Sequence, residues 1–573
     1  MIILKKLLCV ILTLALILSA ASVGVFAAAD KGDVRFGVAS DLHYCPPRQT
    51  FEKTNDDPIF WYANRRAAME DEGGFIIDEF LNRCEEEDYD FVLISGDLAD
   101  DGKVRPEDHR AVAEKLRSFE KRTGKQVYVI NGNHDVGMDS ATTRATFMEI
   151  YHDFGFDEAL CRDDKTCSYT ADLNAKYRLI ALDSNDPSKS TEDGMTLDLV
   201  RWVVDQAKQA KEDGKYPILM MHHNLIDHMP IQRLINRNFI VRYHFTTAEL
   251  FADAGIKLVL TGHEHCNDTA VYTSALGNKI YDFTTTSLTM YPLAYREFTL
   301  TEDKIDYSLN EIEKIDYDAL RAACPEFTDA QIELMKTDLN AYAKQFLKVG
   351  VQYRLQLSWT DEKLGVKKGD FGYSLVRGAV DILNNTLSDP LYGEGSVSER
   401  ALKYGIEIPQ TGYKNGWDLA TDIVAAHYAG EETLTIDSPE VTALFRTFAV
   451  LFREEAAGID NAVLDDAAGG IFKNLGVTGI SDRLVIDFCK SIGTYTAAEY
   501  LLLAIASPIL AEFVSDSDGA SDNNGSIEGY GAGSVTGNIA NVGKNSAGIA
   551  GKIGYYISLV LRYILKIAAK YVA

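Results

Sequence analysis

Cysteine is scarce, with eight in 573 residues, seven if the leader that holds Cys9 is removed. A sparse, odd-numbered set is not the disulfide framework of a small secreted scaffold. Cys161 and Cys167 are near enough in sequence to close one small loop, and they fit two free thiols equally well. Positive charge is also in deficit. The 57 Lys and Arg residues face 85 Asp and Glu, a formal net charge of −28. Gripping nucleic acid through its phosphates needs a basic surface, so no nucleic-acid partner is expected.

What the chain does have is length and apolar content. At 573 residues and 46% hydrophobic it exceeds one usual domain. Residues 1–29 open with Lys5 and Lys6, run apolar from Leu7 to Leu18, and close on Ala27-Ala28-Ala29. That order predicts a secretory signal peptide and a secreted or cell-envelope protein. An uncleaved membrane anchor is the alternative.

Residues 30–312 alternate short apolar runs with helical stretches. The runs VRFGVAS, FVLISGD, QVYVING, YRLIALDSN, YPILMMHH and KLVLTGHEH are almost continuously apolar, as strands covered on both faces should be. Between them lie the helical stretches DEFLNRCEEED, PEDHRAVAEKLRSFEKRTG and TLDLVRWVVDQAKQAKEDG, and the last two stop at glycine. An α/β domain of stacked layers follows. Residues 313–514 change to helices: Thr328–Gln331 and Thr496–Glu499 are capping boxes, and Ser438-Pro439 is an N-cap followed by proline. A mostly α-helical C-terminal domain is expected there. Residues 515–550, rich in Gly, Ser, Asn and Asp, read as a flexible linker. In residues 551–573, Lys552, Arg562, Lys566 and Lys570 fall on one helix face, opposite Ile553, Ile557, Leu561 and Ile564. A basic amphipathic helix of this kind suits a membrane surface, or docking on protein.

Five polar clusters sit where apolar runs end. They bring Asp41 and His43, then Asp97 and Asp100, then Asn133, His134 and Asp135, then His222 and His223, and last His263, His265 and Asp268. Carboxyl ends of parallel strands are where an α/β sheet opens its ligand crevice. One cation takes three or four such ligands. Asp41, His43, Asp97, Asn133, His222, His263 and His265 are too many for one ion and enough for two with a shared carboxylate. Oxygen and imidazole donors suit Fe, Mn or Zn. Gly96, Gly132 and Gly262 precede these ligands, where glycine permits unusual backbone angles and close approach.

These blocks resemble the calcineurin-like metallophosphoesterase superfamily, with Asp41-Leu42-His43, Gly96-Asp97-Leu98-Ala99-Asp100, Gly132-Asn133-His134-Asp135, His222 and Gly262-His263-Glu264-His265 in the family's order. The resemblance spans roughly residues 33 to 300 and implies a two-layer β-sandwich flanked by helices. It also implies two divalent or trivalent metal ions. Asp41, His43 and His265 would hold the first, Asn133, His222 and His263 the second, and Asp97 would bridge them. The family's metal histidine follows the apolar strand directly, which favours His222 over His223. His134 would be the catalytic histidine, acting as imidazolium, with Asp135 orienting it or raising its basicity. Purple acid phosphatases place Tyr where Asp100 stands, so that branch of the superfamily is disfavoured.

The activity implied is hydrolysis of a phosphodiester or nucleotide-type phosphate ester, with hydroxide from the metal pair attacking phosphorus. Two alternatives stand beside it. One is a membrane-attached lipid or envelope phosphoesterase using the 551–573 helix, and the other is a non-catalytic cell-envelope binding protein with a structural metal site. Asp100, Asp183 and Asp268 are expected to support the site at most. His109, His152, His228, His244 and His427 match no block and read as surface or core residues. Trp61, Tyr62, Arg65 and Arg66 could line the cleft, but an amphipathic surface helix is the favoured reading of that segment.

Overall fold

The computed structural model describes residues 32–47, 53–54, 56–64, 66–189, 193–228, 232, 238–358, 360–362, 367–368, 380, 384–434, 438–456 and 521–531. The expected signal peptide, the Thr496 capping box, most of the expected linker and the 551–573 helix lie outside these residues.

Two sheets face each other. The first has six strands in the order β13-β12-β11-β1-β2-β3. These are β1 (Val34–Ala39), β2 (Phe91–Ile94), β3 (Gln126–Val129), β11 (Ala294–Leu300), β12 (Lys304–Glu311) and β13 (Asn524–Glu528). The second has seven, in the order β4-β5-β6-β7-β8-β10-β9. They are β4 (Cys161–Arg162), β5 (Tyr169–Asp172), β6 (Tyr177–Leu182), β7 (Tyr216–Met221), β8 (Leu258–Thr261), β9 (Asp268–Thr273) and β10 (Lys279–Thr284). All six apolar runs singled out in the sequence are strands. β1, β2 and β3 run parallel in one sheet, and β6, β7 and β8 run parallel in the other.

Alternation explains why those runs are apolar throughout. Leu179, Ala181, Ile218, Met220, Leu258 and Leu260 point between the sheets and share a core with Phe36, Val38 and Leu93. Their neighbours Ile180, Leu182, Leu219, Met221 and Val259 point the other way. They enter a second core under helices α4 (Leu197–Glu212) and α5 (His244–Ala254). Helices α1 (Gly73–Glu86) and α2 (Pro106–Thr123) belong to the first core through Ile76, Phe80, Leu116 and Phe119. Gly124 ends α2 at φ 71°, and Thr196 caps α4 by accepting from the Leu199 N–H. Helix α3 (Arg144–Ile150) is capped by Thr143. The architecture is the helix-flanked β-sandwich expected.

After β12 come α6 (Tyr317–Ala323), α7 (Asp329–Thr337), α8 (Leu339–Ser358), α9 (Val397–Leu402), α10 (Gly416–Tyr428) and α11 (Pro439–Ala456). Helix α7 starts at the expected capping box: Thr328 accepts from the Gln331 N–H, and the Gln331 side chain accepts from the Thr328 N–H. Lys348 on α8 pairs with Asp418 on α10 at 2.6 Å. Leu347 and Ala425 from these two helices pack on Ala67, Ala68 and Met290 beside the sandwich. No helix among the described residues is long and apolar enough to cross a membrane. Cys161 and Cys167 are both free thiols.

One expectation is corrected. Residues 521–531 fall inside the stretch read as a linker, yet Asn524–Glu528 forms β13, hydrogen-bonded to β12. Tyr530 is buried, stacks on Tyr216 at 4.9 Å, and donates to the Pro217 carbonyl at 2.7 Å. Gly525 lies where any side chain would collide with the Tyr307 ring. Small and polar residues here allow close approach to an edge strand; they do not mark disorder.

Candidate metal centre

The ends of β1, β2, β3, β7 and β8 meet at one edge of the sandwich, and main-chain bonds carry the strand pairing on into their loops. Asp41 N donates to Gly96 O at 3.0 Å, His43 N to Asp97 O at 2.9 Å, and Gly262 N to His222 O at 3.0 Å. The two sheets touch there as well: the His263 N–H donates to Asp41 Oδ2 at 2.9 Å. A side chain at Gly262 would collide with Ser40 and Asp41, and one at Gly132 would collide with Asp97. Gly96 has φ 108°.

Five of the expected ligands have left-handed backbones: Asp41 (φ 50°), His43 (φ 40°), Asp97 (φ 50°), His263 (φ 70°) and His265 (φ 59°). Such conformations cost a non-glycine residue about 1–3 kcal/mol each and persist where the surroundings impose them, typically at functional sites. Here they turn both Asp41–His43 and His263–His265 inward within one tight turn each.

Two groups of donors result. Asp41, His43 and His265 form one, and Asp97, His222 and His263 form the other, each with ligand atoms within 4.8 Å of one another. In the first, His265 Nε2 lies 3.2 Å from Asp41 Oδ1 and 3.0 Å from His43 Nε2. In the second, His222 Nε2 lies 3.3 Å from Asp97 Oδ2 and 3.1 Å from Asn133 Oδ1. Asp97 Oδ2 is also 3.8 Å from His43 Nε2, which puts this oxygen between the groups. His223 belongs to neither group: its Nδ1 lies 2.9 Å from Ser184 Oγ and its ring packs on that of His263 at 4.5 Å.

The outward ring nitrogens have their own partners. His222 Nδ1 donates to the Ser95 carbonyl at 3.0 Å, and His43 Nδ1 faces Asp100 Oδ1 at 3.3 Å. Such contacts fix the tautomer and leave Nε2 as the inward lone pair, as imidazoles that bind metal require. Asp41 Oδ1, Asp97 Oδ2 and His263 Nε2 are buried and have no hydrogen-bond partner among the described residues. Buried acceptors without donors are costly, and cations would satisfy all three. Carboxylates, imidazoles and a carboxamide are donors that fit Zn, Mn or Fe. The electrostatics agree. Burial alone would raise the Asp41 and Asp97 carboxyls, but the surrounding imidazoles hold both well below the usual range. Burial would lower His43, but the carboxylates of Asp100, Asp41 and Asp97 draw it up to about 10, a proton that a cation at Nε2 would have to displace.

His134 stands beside this cluster, its ring 4.9 Å from the His43 ring and edge-on to it. Burial pushes its imidazole down to about 4. The expected support from Asp135 is not what the structure has. Asp135 Oδ1 accepts from the Leu98 and Ala99 N–H groups, and Oδ2 from the Gly132 N–H, so the carboxylate ties two site loops together. His134 Nδ1 is held instead by the Asp100 carbonyl at 2.8 Å.

Of the supporting aspartates, Asp183 pairs with Arg144 at 2.6 Å and accepts from Asn131, anchoring the loop before Asn133. Asp268 pairs with His228 at 2.8 Å, and the other His228 nitrogen lies 3.3 Å from Asp282. His109 is buried between Tyr151 and the Asp135 carbonyl. The surface helix expected in the segment starting at Pro58 does not form among the described residues of 58–72, and Arg65 lies outside those described. Tyr62 is buried against Asp71, and Arg66 reaches the site: its Nη1 bonds Asp100 and lies 3.3 Å from His134 Nδ1. Phe239, not singled out in the sequence, lies along the His263 ring at 4.2 Å.

Residues 34–267 match the family model for calcineurin-like phosphoesterases. No curated protein matches the chain. Among solved structures, a dimetal phosphatase from Danio rerio is 12% identical, covering 48% of this chain and 95% of its own, with a TM-score of 0.36. A purple acid phosphatase, PPD1, from yellow lupin seeds is 10% identical over 49% of this chain and 51% of its own, with a TM-score of 0.33.

Proposed function

We propose, for a chain that carries a calcineurin-like phosphoesterase domain over residues 34–267, hydrolysis of a phosphodiester or nucleotide-type phosphate ester at a two-metal centre. Asp41, His43 and His265 hold one ion, and Asn133, His222 and His263 the other. Asp97 bridges them. The observation that carries this reading is the position of Asp97 Oδ2, buried, without a hydrogen-bond partner among the described residues, and lying between His43 Nε2 and His222 Nε2.

Bound there, the ions supply polarisation of the phosphoryl group and activation of the attacking water. The chain's own groups do the rest. The left-handed turns hold the donors converged before any ion arrives, which lowers the cost of assembling the site. The Asp100 carbonyl fixes the proton of His134 on Nδ1, so Nε2 faces the site as an acceptor. With burial pushing it down to about 4, His134 starts neutral rather than as the imidazolium expected from the sequence; Nε2 would accept a proton from water and pass that same proton to the leaving oxygen, ending neutral again. A non-catalytic metal site has no use for an imidazole held in this way. Phe239, half-buried on His263, gives an apolar wall for a leaving group larger than water. The signal-peptide pattern of residues 1–29 supports a secreted or envelope-associated enzyme.

The test is hydrolysis of bis-p-nitrophenyl phosphate and p-nitrophenyl phosphate by protein stripped with chelator and then given Mn, Fe or Zn. The expected outcome is activity that depends on added metal and is higher on the diester. Activity that survives chelation, or none with any metal, contradicts the proposal.

A further inference from the structure

Arg66 comes from the segment between the first two ligand-bearing blocks and ends next to His134. Its Nη1 bonds Asp100 Oδ1 and lies 3.3 Å from both His43 Nδ1 and His134 Nδ1. The side chain is 31% exposed. Its Nε and Nη2, which form one edge of the guanidinium, have no partner among the described residues.

The backbone that delivers it is built, not draped. Asn64 Oδ1 accepts from both Arg66 N and Ala68 N at 3.2 Å, and Asn64 Nδ2 donates to Ala68 O at 2.6 Å. Met69 N donates to Thr289 O at 2.8 Å. Ala67 has φ 60°, a conformation unfavourable for any residue with a side chain. It is pressed against Gly350 of α8, where even a methyl group would collide with the Ala67 backbone. A part-exposed ion pair with Asp100 gains too little to account for a strained segment locked on two sides.

We propose that Arg66 is a substrate-binding residue: its open guanidinium edge takes anionic oxygens of the phosphate ester, and α8 holds it there through Gly350. The inference rests on the ester-hydrolase reading for its substrate class. A planar fork already anchored at one nitrogen matches two phosphate oxygens without further ordering.

The probe is inorganic phosphate, titrated calorimetrically into the metal-loaded full chain. Arg66→Ala is expected to weaken phosphate binding about tenfold or more, the range of a lost charge-assisted hydrogen bond. Arg66→Lys keeps part of the affinity, as a point charge without the fork. Metal content stays unchanged in both. Gly350→Ala, which meets Ala67 and none of the proposed ligands, weakens phosphate binding by displacing Ala67. Phosphate binding in Arg66→Ala equal to that of the unaltered chain overturns the inference, as does an unaltered chain that binds no phosphate. Phosphate binding that depends on Arg66 in a chain that hydrolyses no ester keeps Arg66 as a phosphate-binding residue and removes the ester-hydrolase reading, and with it the ester as the ligand.

Discussion

His134 Nδ1 donates to the main-chain carbonyl of Asp100 at 2.8 Å. A main-chain carbonyl can only accept, so it sets the imidazole's tautomer whatever side chain stands at position 100. His134 itself belongs to neither proposed ion. His134→Ala is therefore expected to keep its metal and lose about 10²–10⁴ in turnover, the usual share of a positioned proton-transfer group. Metal content measured beside kcat checks both halves.

The Asp100 carboxylate has a separate task, facing His43 Nδ1 at 3.3 Å. Asp100→Asn keeps the carbonyl and shape but removes the charge that favours an outward Nδ1–H on His43. Partners of this kind are worth roughly 10–100-fold in metal affinity. Competition with a chelator should show a loss of that order, with one of the two ions affected more than the other.

Glu72 is fully buried before α1, with both carboxylate oxygens unpartnered among the described residues. Burial, and then the charge of Asp71, push its carboxyl up to about 8 from an ordinary 4.5. Between those values the folded chain holds a proton that the unfolded chain releases, so this group's contribution to stability falls as pH rises through that window. Glu72→Gln should be more stable than the parent at the alkaline end, and the difference should vanish at the acid end. Denaturant midpoints across the window read this directly.

Tyr530 fastens the returning strand β13 to the second sheet by stacking on Tyr216 and bonding Pro217 O. Tyr530→Ala deletes a buried aromatic and should cost about 3–5 kcal/mol in unfolding free energy. A midpoint unchanged from the parent would mean that residues 521–531 do not contribute to the fold.

The six parallel and near-parallel runs were legible because strands covered on both faces are apolar at every position, as Leu179 and Ile180 are on opposite sides of one sheet. The site blocks were legible because each is local: a strand end with one or two donors, preceded in three of them by a glycine. What was not legible depends on where hydrogen bonds go. Asp135 follows His134 in sequence, yet its oxygens face the backbone of Leu98, Ala99 and Gly132. Arg66 looked like part of a surface helix because its segment is rich in helix formers, but Asn64 and Gly350 hold that backbone in another shape. Tyr530 sits in a stretch whose Gly, Ser and Asn content reads as linker; its partners, the β12 edge for residues 524–528 and Tyr216 and Pro217 for Tyr530, are distant in sequence.

The central claim is a pair of ions joined through Asp97. Elemental analysis of the purified chain, paired with ester hydrolysis on the same sample, tests it most directly. Two ions per chain in active protein, with both ions and activity lost in Asp97→Asn, is the expected result. Full activity with no more than one bound ion, or an Asp97→Asn chain that keeps two, contradicts it.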